Sequence, residues 1–435
     1  MSDARSRIVT LDKRRVWHPY TPMDAYRARV DPLVVARAEG SWLFDLDGRR
    51  YLDGNASWWV CALGHNHPRL VAALKRQADT LCHSSLAGAT HEGAALLAEA
   101  LCQAAPPGLE HVFFSDDGST AVEVAMKLAL QYWAQNGHPA RRRFVALDGA
   151  FHGETLGVTA LGGVEVFRRP FAGALLDCVH VPSPAEDGGY ARAFEAIERI
   201  VSRDADKIAA VVLEPLVQGA SGMRIYKPAY LGAVRALCDA CDVFLVADEV
   251  FTGYGRTGAM WACDHDCVSP DLLCTAKGFS GGMLPMAATL TTPRIFEGFL
   301  GAPQRAFYYG HSFCGNPLGA AVAREVLRIY EEDKVLDGVR ARVPRIAKAF
   351  AEMAELPGVL RTRSLGMVGA LDLAGEEGYL GGAGWRVYEE ARSRGAYLRP
   401  LGNVVYVAPS LIISDEDLDL LLSIVRESVA AAATA

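Results

Sequence analysis

No apolar run in this chain approaches the length of a membrane span, and residues 1–15 alternate charges without the apolar core of a signal peptide. A spanning or exported protein is therefore not expected, and a cytoplasmic location is. Basic residues are also short: 44 Lys and Arg stand against 51 Asp and Glu, a net charge of −7. That balance leaves no electrostatic footprint for nucleic acid or an anionic membrane. Cysteine is sparse as well, ten in 435 residues at irregular spacing, which excludes a disulfide framework and leaves reduced, mostly buried thiols. Two clusters, Cys238-Asp239-Ala240-Cys241 and Cys263-Asp264-His265-Asp266-Cys267, have metal-like spacing. The first ends a helical pattern, runs straight into an apolar strand and leaves no second ligand pair, so no metal is expected. No G-x-G-x-x-G follows a first strand, which argues against a nicotinamide-dependent oxidoreductase. A non-catalytic regulator would need a DNA-binding appendage, and neither the charge nor the domain plan supplies one.

Hydrophobic residues make up 51% of the chain, enough for one large core and a smaller second domain. The densest pattern runs from Val243 to Gly282: V-F-L-V-A-D-E-V-F-T-G-Y-G-R-T-G, a polar connection, then L-L-C-T-A-K-G-F-S-G-G. Val243 to Ala247 reads as a buried strand delivering Asp248 at its carboxyl end, and Leu272 to Ala276 as a second delivering Lys277 onto a glycine-rich loop. Ligands of open α/β sheets bind outside the carboxyl ends of strands, so this acid and this lysine can face one ligand. Alone they would fit an ordinary acidic pair and a surface lysine. With a phosphate loop beside them they are the pair pyridoxal phosphate needs: an amine to hold its aldehyde and a carboxylate to keep its ring nitrogen protonated. The loop is Ser115-Asp116-Asp117-Gly118-Ser119-Thr120, between the strand from His111 and a helix from Ala121 to Gln135. Its glycine and hydroxyls stand beside unpaired first-turn N–H groups, an anion site.

Further strands are expected at Phe144 to Leu147, ending near Phe151, whose ring could cover a planar cofactor, and at Ile208 to Leu213, ending in Glu214. Repetition of strand, loop and helix predicts a parallel sheet covered on both faces. Upstream, Trp17-His18-Pro19-Tyr20-Thr21 fits neither helix nor strand period, and Leu33 to Leu52 makes short β pieces around the hairpin signal Asp47-Gly48. Trp58 and Trp59 cannot both face one core, so at least one faces a cleft or contact. His65 and His67 read as the entry to a helix from Arg69 to Cys82 rather than as metal ligands. Beyond Asp333 two helices, a strand around Gly366 to Leu373, another helix and a strand at Val404 to Val407 suggest a separate α+β unit, with Arg399 between its last elements.

A-D-E-V-F-T-G-Y-G-R-T-G with A-K-G-F-S-G-G resembles the class III, ω-type aminotransferases of pyridoxal-phosphate fold type I, and the likeness covers nearly the whole chain. It implies an α/β fold like that of aspartate aminotransferase: a large domain with a mostly parallel seven-stranded sheet, plus a smaller α+β domain. Residues 1–60 would be an N-terminal segment contributing to the small domain and active site, 61–330 the large cofactor-binding domain and 331–435 the C-terminal small domain. Lys277 would be the Schiff-base lysine and proton shuttle, and Asp248 the pyridinium partner. Gly118 and Ser119 would hold the phosphate. His311 and Ser312 would add cofactor contacts, Ser312 from the neighbouring subunit of a homodimer with shared active sites. Tyr20, Trp58, Phe151, Gly310 and Arg399, with Lys277, would shape the substrate site, Arg399 facing a carboxylate through its bidentate fork.

W-H-P-Y-T, the S-W-W triplet and A-Y-L-R-P-L-G resemble the biotin-pathway branch of that class. The branch implies 8-amino-7-oxononanoate as amino acceptor and S-adenosylmethionine as donor. Lysine as donor, or another ω-aminotransferase reaction on ornithine, 4-aminobutyrate or a diamine, is the alternative. Phe151 stands where the branch usually has tyrosine, His311-Ser312 where Pro-Thr is common, and Glu154 where aspartate is usual. These departures leave the cofactor chemistry intact and bear on the donor.

Overall fold

The computed structural model describes residues 3–185, 188–375 and 378–434. After two helices, Asp3–Arg15 and Met23–Arg29, three short strands form an antiparallel meander: β1 (Val35–Glu39), β2 (Trp42–Asp45) and β3 (Arg50–Asp53). The turn between β2 and β3 is the Asp47-Gly48 one. Asp45 accepts the N–H groups of Asp47 and Arg49 at 3.0 and 2.9 Å, and Gly48 supplies the left-handed residue at φ 82°.

The chain then builds a seven-stranded sheet from β4 (His111–Ser115), β5 (Arg143–Leu147), β6 (Cys178–Val181), β7 (Ile208–Leu213), β10 (Phe244–Asp248), β11 (Leu272–Thr275) and β12 (Ala287–Thr291); β8 (Val217–Gln218) and β9 (Arg224–Ile225) form a separate small hairpin. The spatial order is β4-β12-β11-β10-β7-β5-β6. Only β12 runs against its two neighbours; the pairs from β11 to β6 are parallel. Every residue of β7 and β10 is buried. Phe244 and Val246 belong to one apolar core with the helix Gly118–Gln135, while Leu245 and Ala247 belong to another. Period-two alternation between two cores is why these strands read as unbroken apolar runs.

The part beyond residue 334 departs from expectation. One helix, Val335–Met353, stands where two are expected, with Pro344 inside it. An unexpected strand, β13 (Val359–Leu365), follows and pairs with β14 (Val368–Leu373), which in turn pairs with β16 (Val404–Val407). The β13 sequence V-L-R-T-R-S-L hides because it lies at the sheet edge with no residue fully buried. β15 (Ala396–Tyr397) leaves this unit and joins β3 in parallel, so the N-terminal meander and the C-terminal segment share a four-stranded sheet. Helix Ala383–Ser393 and the terminal helix Asp415–Thr434 complete the unit. Among the described residues no helix is long and apolar enough to cross a membrane.

Candidate active site

Strand β10 ends by sending successive side chains to opposite sides. Asp248 faces a cavity of about 750 Å³, while Glu249 turns into the core, fully buried, where its carboxylate accepts the Cys263 N–H at 2.8 Å and the Thr252 hydroxyl. Burial pushes the Glu249 carboxyl up to about 7. Asp248 is itself only 4% exposed. Its Oδ1 accepts the Val250 N–H at 3.1 Å, and its Oδ2 lies 2.7 Å from Nδ1 of the buried His152. Burial works against charge on that imidazole, but the hydrogen bond to Asp248 and the charges of Asp248 and Glu214 together outweigh it, and the His152 pKa is raised.

Lys277 follows β11, opens the 3₁₀ turn Lys277–Ser280 and adopts φ 50°. It lines the same cavity, with Nζ 5.0 Å from the centre of the Trp59 ring. The packing around its side chain removes water and pulls its amine below the usual lysine value, while Asp248, Glu214 and Asp117 pull the other way. Glu214, at the end of β7, is held by the N–H groups of Phe151 and Gly219, both at 2.9 Å. Burial carries its carboxyl up to about 7 in spite of those donors and of His152.

Helix Gly118–Gln135 starts at the cavity wall, three residues earlier than the sequence reading set it. Asp117 caps it, taking the Thr120 N–H at 2.8 Å, with the Thr120 hydroxyl returning to the Asp117 N–H in a capping box. Among the described residues no hydrogen bond is made by the N–H groups of Gly118 and Ser119. A Cβ at Gly118 would lie 2.5 Å from Val250 Cγ1, so only glycine lets the helix start approach the Asp248 strand end this closely. The Ser119 hydroxyl accepts the N–H groups of Glu154 and Thr155 at 2.9 and 2.8 Å and donates to Thr155 Oγ1 at 3.1 Å, tying the loop after β5 to the helix start.

Trp58 and Trp59 diverge through an uncommon turn. Ala56, Ser57, Trp58 and Trp59 have φ of 45°, 45°, 66° and 74°, four consecutive left-handed residues that each cost roughly 1–2 kcal/mol. Trp59 is buried, its indole donating to the Tyr406 hydroxyl at 3.1 Å and its ring 4.5 Å from that of Phe251. Trp58 stays 37% exposed, with Tyr20 at 5.5 Å on edge and the Arg399 guanidinium 4.9 Å from its ring centre. Trp385 stands 5.7 Å from the same guanidinium. Among the described residues that guanidinium has no acidic partner. The Arg399 backbone is fixed by its N–H donating to Asn55 Oδ1 at 2.6 Å. Tyr20 donates to Glu154 Oε1 at 2.6 Å; burial and this bond raise the phenol's pKa.

Of the residues singled out from sequence, Gly118, Ser119, Phe151, Asp248 and Lys277 line the cavity. Tyr20, Trp58 and Arg399 form a neighbouring cluster joined to it through Glu154. Gly310, His311 and Ser312 do not line it; Ser312 is exposed, and His311 Nδ1 lies 3.5 Å from Asp116 Oδ2 at the cavity's edge. Sequence reasoning gave no role to His152, Phe167, Tyr379 or Trp385. Phe167 packs 5.3 Å from Tyr20, 5.9 Å from Phe151 and 4.8 Å from Tyr379, joining aromatics from three distant segments. None of these four carries a local motif that would have announced it.

The chemistry of the donor set fits pyridoxal phosphate: two free N–H groups at a helix start, a lysine amine made less basic, and a buried carboxylate braced by an imidazole, all on one cavity. Comparison with known proteins points the same way. A family model described as Aminotransferase class-III matches residues 25–429. The chain is similar to the adenosylmethionine-8-amino-7-oxononanoate aminotransferase of Geobacter sulfurreducens, 40% identical over 96% of each chain. Among solved structures it is similar to the enzyme of that name from Methanocaldococcus jannaschii, with a TM-score of 0.94, 34% identity and 98% and 99% of the two chains covered. It is also similar to a pyridoxal-phosphate-bound amine transaminase from an uncultivated Pseudomonas species, with a TM-score of 0.90, 31% identity and 96% and 98% covered.

Proposed function

The chain belongs to the class III aminotransferases, a transaminase with pyridoxal 5′-phosphate as cofactor, and on that premise we propose that it converts 8-amino-7-oxononanoate to 7,8-diaminononanoate in biotin biosynthesis, with S-adenosylmethionine as amino donor. The observation that carries this reading is the unpaired Arg399 guanidinium inside an aromatic cluster beside the Lys277–Asp248 cavity. A guanidinium with no acid of its own suits a substrate carboxylate. The indoles and phenol around it suit an aliphatic chain, an adenine or a sulfonium, each cation–π contact being worth about 0.5–1 kcal/mol. The names of the similar enzymes from Geobacter sulfurreducens and Methanocaldococcus jannaschii support the same acceptor and donor.

Bound cofactor supplies an aldehyde that takes up amino groups and a protonated ring that accepts electrons. Gly118 and Ser119 would hold its phosphate at the helix start. Asp248 would keep the ring nitrogen protonated, and His152, 2.7 Å away, fixes the carboxylate for that task. Lys277 would hold the cofactor through its amine and would move the proton at the amine-bearing carbon of the substrate through Nζ; its lowered pKa increases the neutral amine available as base. Phe151, which lines the cavity, would pack against the cofactor without a hydroxyl of its own. Ser312, exposed on a loop with the exposed Tyr308 and Phe313, supports a homodimer in which Ser312 serves the partner's cofactor site.

The test is formation of the diamino acid from 8-amino-7-oxononanoate with S-adenosylmethionine, lysine, ornithine, 4-aminobutyrate and a diamine in turn. Product with S-adenosylmethionine and none with the others is expected; product with lysine alone replaces the donor, and no product with any donor removes the acceptor. Arg399→Ala is expected to raise KM for the acceptor about tenfold or more, because a desolvated carboxylate loses its charged partner. An unchanged KM would take Arg399 out of the site.

A further inference from the structure

His65, which no step above uses, lies behind the tandem tryptophans. Asp53, at the carboxyl end of β3, is buried, and its carboxylate gathers three donors around the left-handed turn. Oδ1 accepts the Asn55 N–H at 3.2 Å, and Oδ2 accepts the Ser57 hydroxyl and His65 Nε2, each at 2.8 Å. His65 is anchored from the other side by paired backbone bonds with Gly40, at 2.7 and 3.1 Å. Its Nδ1 lies 3.6 Å from Cys61 Sγ, and a Cβ at Gly282, in the Lys277 loop, would lie 2.7 Å from that sulfur. The residues closing the turn are thus packed against the loop that carries the lysine. Burial disfavours charge on His65, but the hydrogen bonds and charges of Asp53 and Cys61 together outweigh it and lift the pKa to about 10.

We propose that the Asp53–His65 pair is the brace that keeps residues 56–59 left-handed and thereby sets where Trp58 stands against Arg399. Asp53 and His65 are then positioning residues. Four strained residues in a row persist only when their surroundings over-determine them; the Trp59 indole bond to Tyr406 holds one end of the turn, and the bonds converging on Asp53 hold the other. The inference rests on the substrate-site reading of Trp58.

The test is a double-mutant cycle in the holoenzyme with 8-amino-7-oxononanoate as the varied substrate. His65→Gln is expected to raise KM about tenfold, with kcat and the bound cofactor's visible absorption close to wild type. Trp58→Ala is expected to raise KM as well, and His65→Gln added to it to change KM by less than about twofold, because the brace acts through that ring. Fully additive effects overturn the brace while leaving Trp58 in the substrate site. No effect of Trp58→Ala overturns both. A fall in kcat or loss of cofactor absorption without a KM change also overturns the inference. If His65→Gln does not fold, Ser57→Ala removes only the hydroxyl's contacts to Asp53 Oδ2 at 2.8 Å and to His65 Nε2 at 3.5 Å. It should raise KM two- to threefold, roughly, and only when Trp58 is present; a KM unchanged by Ser57→Ala overturns the proposal.

Discussion

Lys277→Ala is expected to give a folded protein with amino transfer lowered at least about 10⁴-fold, the scale at which a positioned acid–base group contributes, with the covalent role lost in addition. The substitution removes little structure. Among the described residues the Nζ makes no hydrogen bond, and it stands 5.0 Å from the centre of the Trp59 ring. Lys277 is also the only lysine among the residues lining the cavity, so no second amine stands ready to replace it. Turnover should therefore vanish while circular dichroism and the thermal midpoint stay near wild type. Retention of more than a trace of activity, or wholesale unfolding, would show that the role assigned to Lys277 is wrong.

The second large effect belongs to Asp248→Asn. The carboxylate is buried, faces the cavity and is bonded at 2.7 Å to an imidazole whose other nitrogen, among the described residues, has no partner. An amide keeps the shape but cannot hold a proton on a ring nitrogen, and it leaves His152 facing a neutral group. Removal of a preorganised electrostatic partner of this kind costs about a hundredfold or more in rate. Cofactor affinity should fall together with the rates of both half-reactions, measured by stopped flow with donor and with acceptor separately. Wild-type rates in both would show that Asp248 is not the partner.

The elements that carry these two residues were legible because central parallel strands bury both faces. β7 lies where the apolar run Ile208 to Leu213 puts it, and β10 and β11 lie within a residue of expectation. The phosphate loop was legible because a capped helix start has local chemistry, although the helix begins at Gly118 rather than Ala121. What could not be read was pairing at a distance. His152 meets Asp248 across 96 positions, and Asp53 meets His65 across a turn whose four positive φ values no residue preference announces, since none of the four is glycine. Phe167, Tyr379 and Trp385 join the aromatic cluster from segments without a motif. Edge strand β13 stayed hidden because two of its side chains are the arginines Arg361 and Arg363, which ion-pair with Asp372 of β14.

The most direct measurement is a half-reaction of the holoenzyme with donor alone. S-adenosylmethionine mixed with enzyme in the absence of acceptor should bleach the visible absorption once and release one equivalent of keto product per active site. Addition of 8-amino-7-oxononanoate should then restore the absorption and yield one equivalent of 7,8-diaminononanoate. Bleaching by lysine and not by S-adenosylmethionine would change the donor and keep the transaminase reading; no absorption change with any amine, or restoration without diamine product, would contradict the proposed reaction.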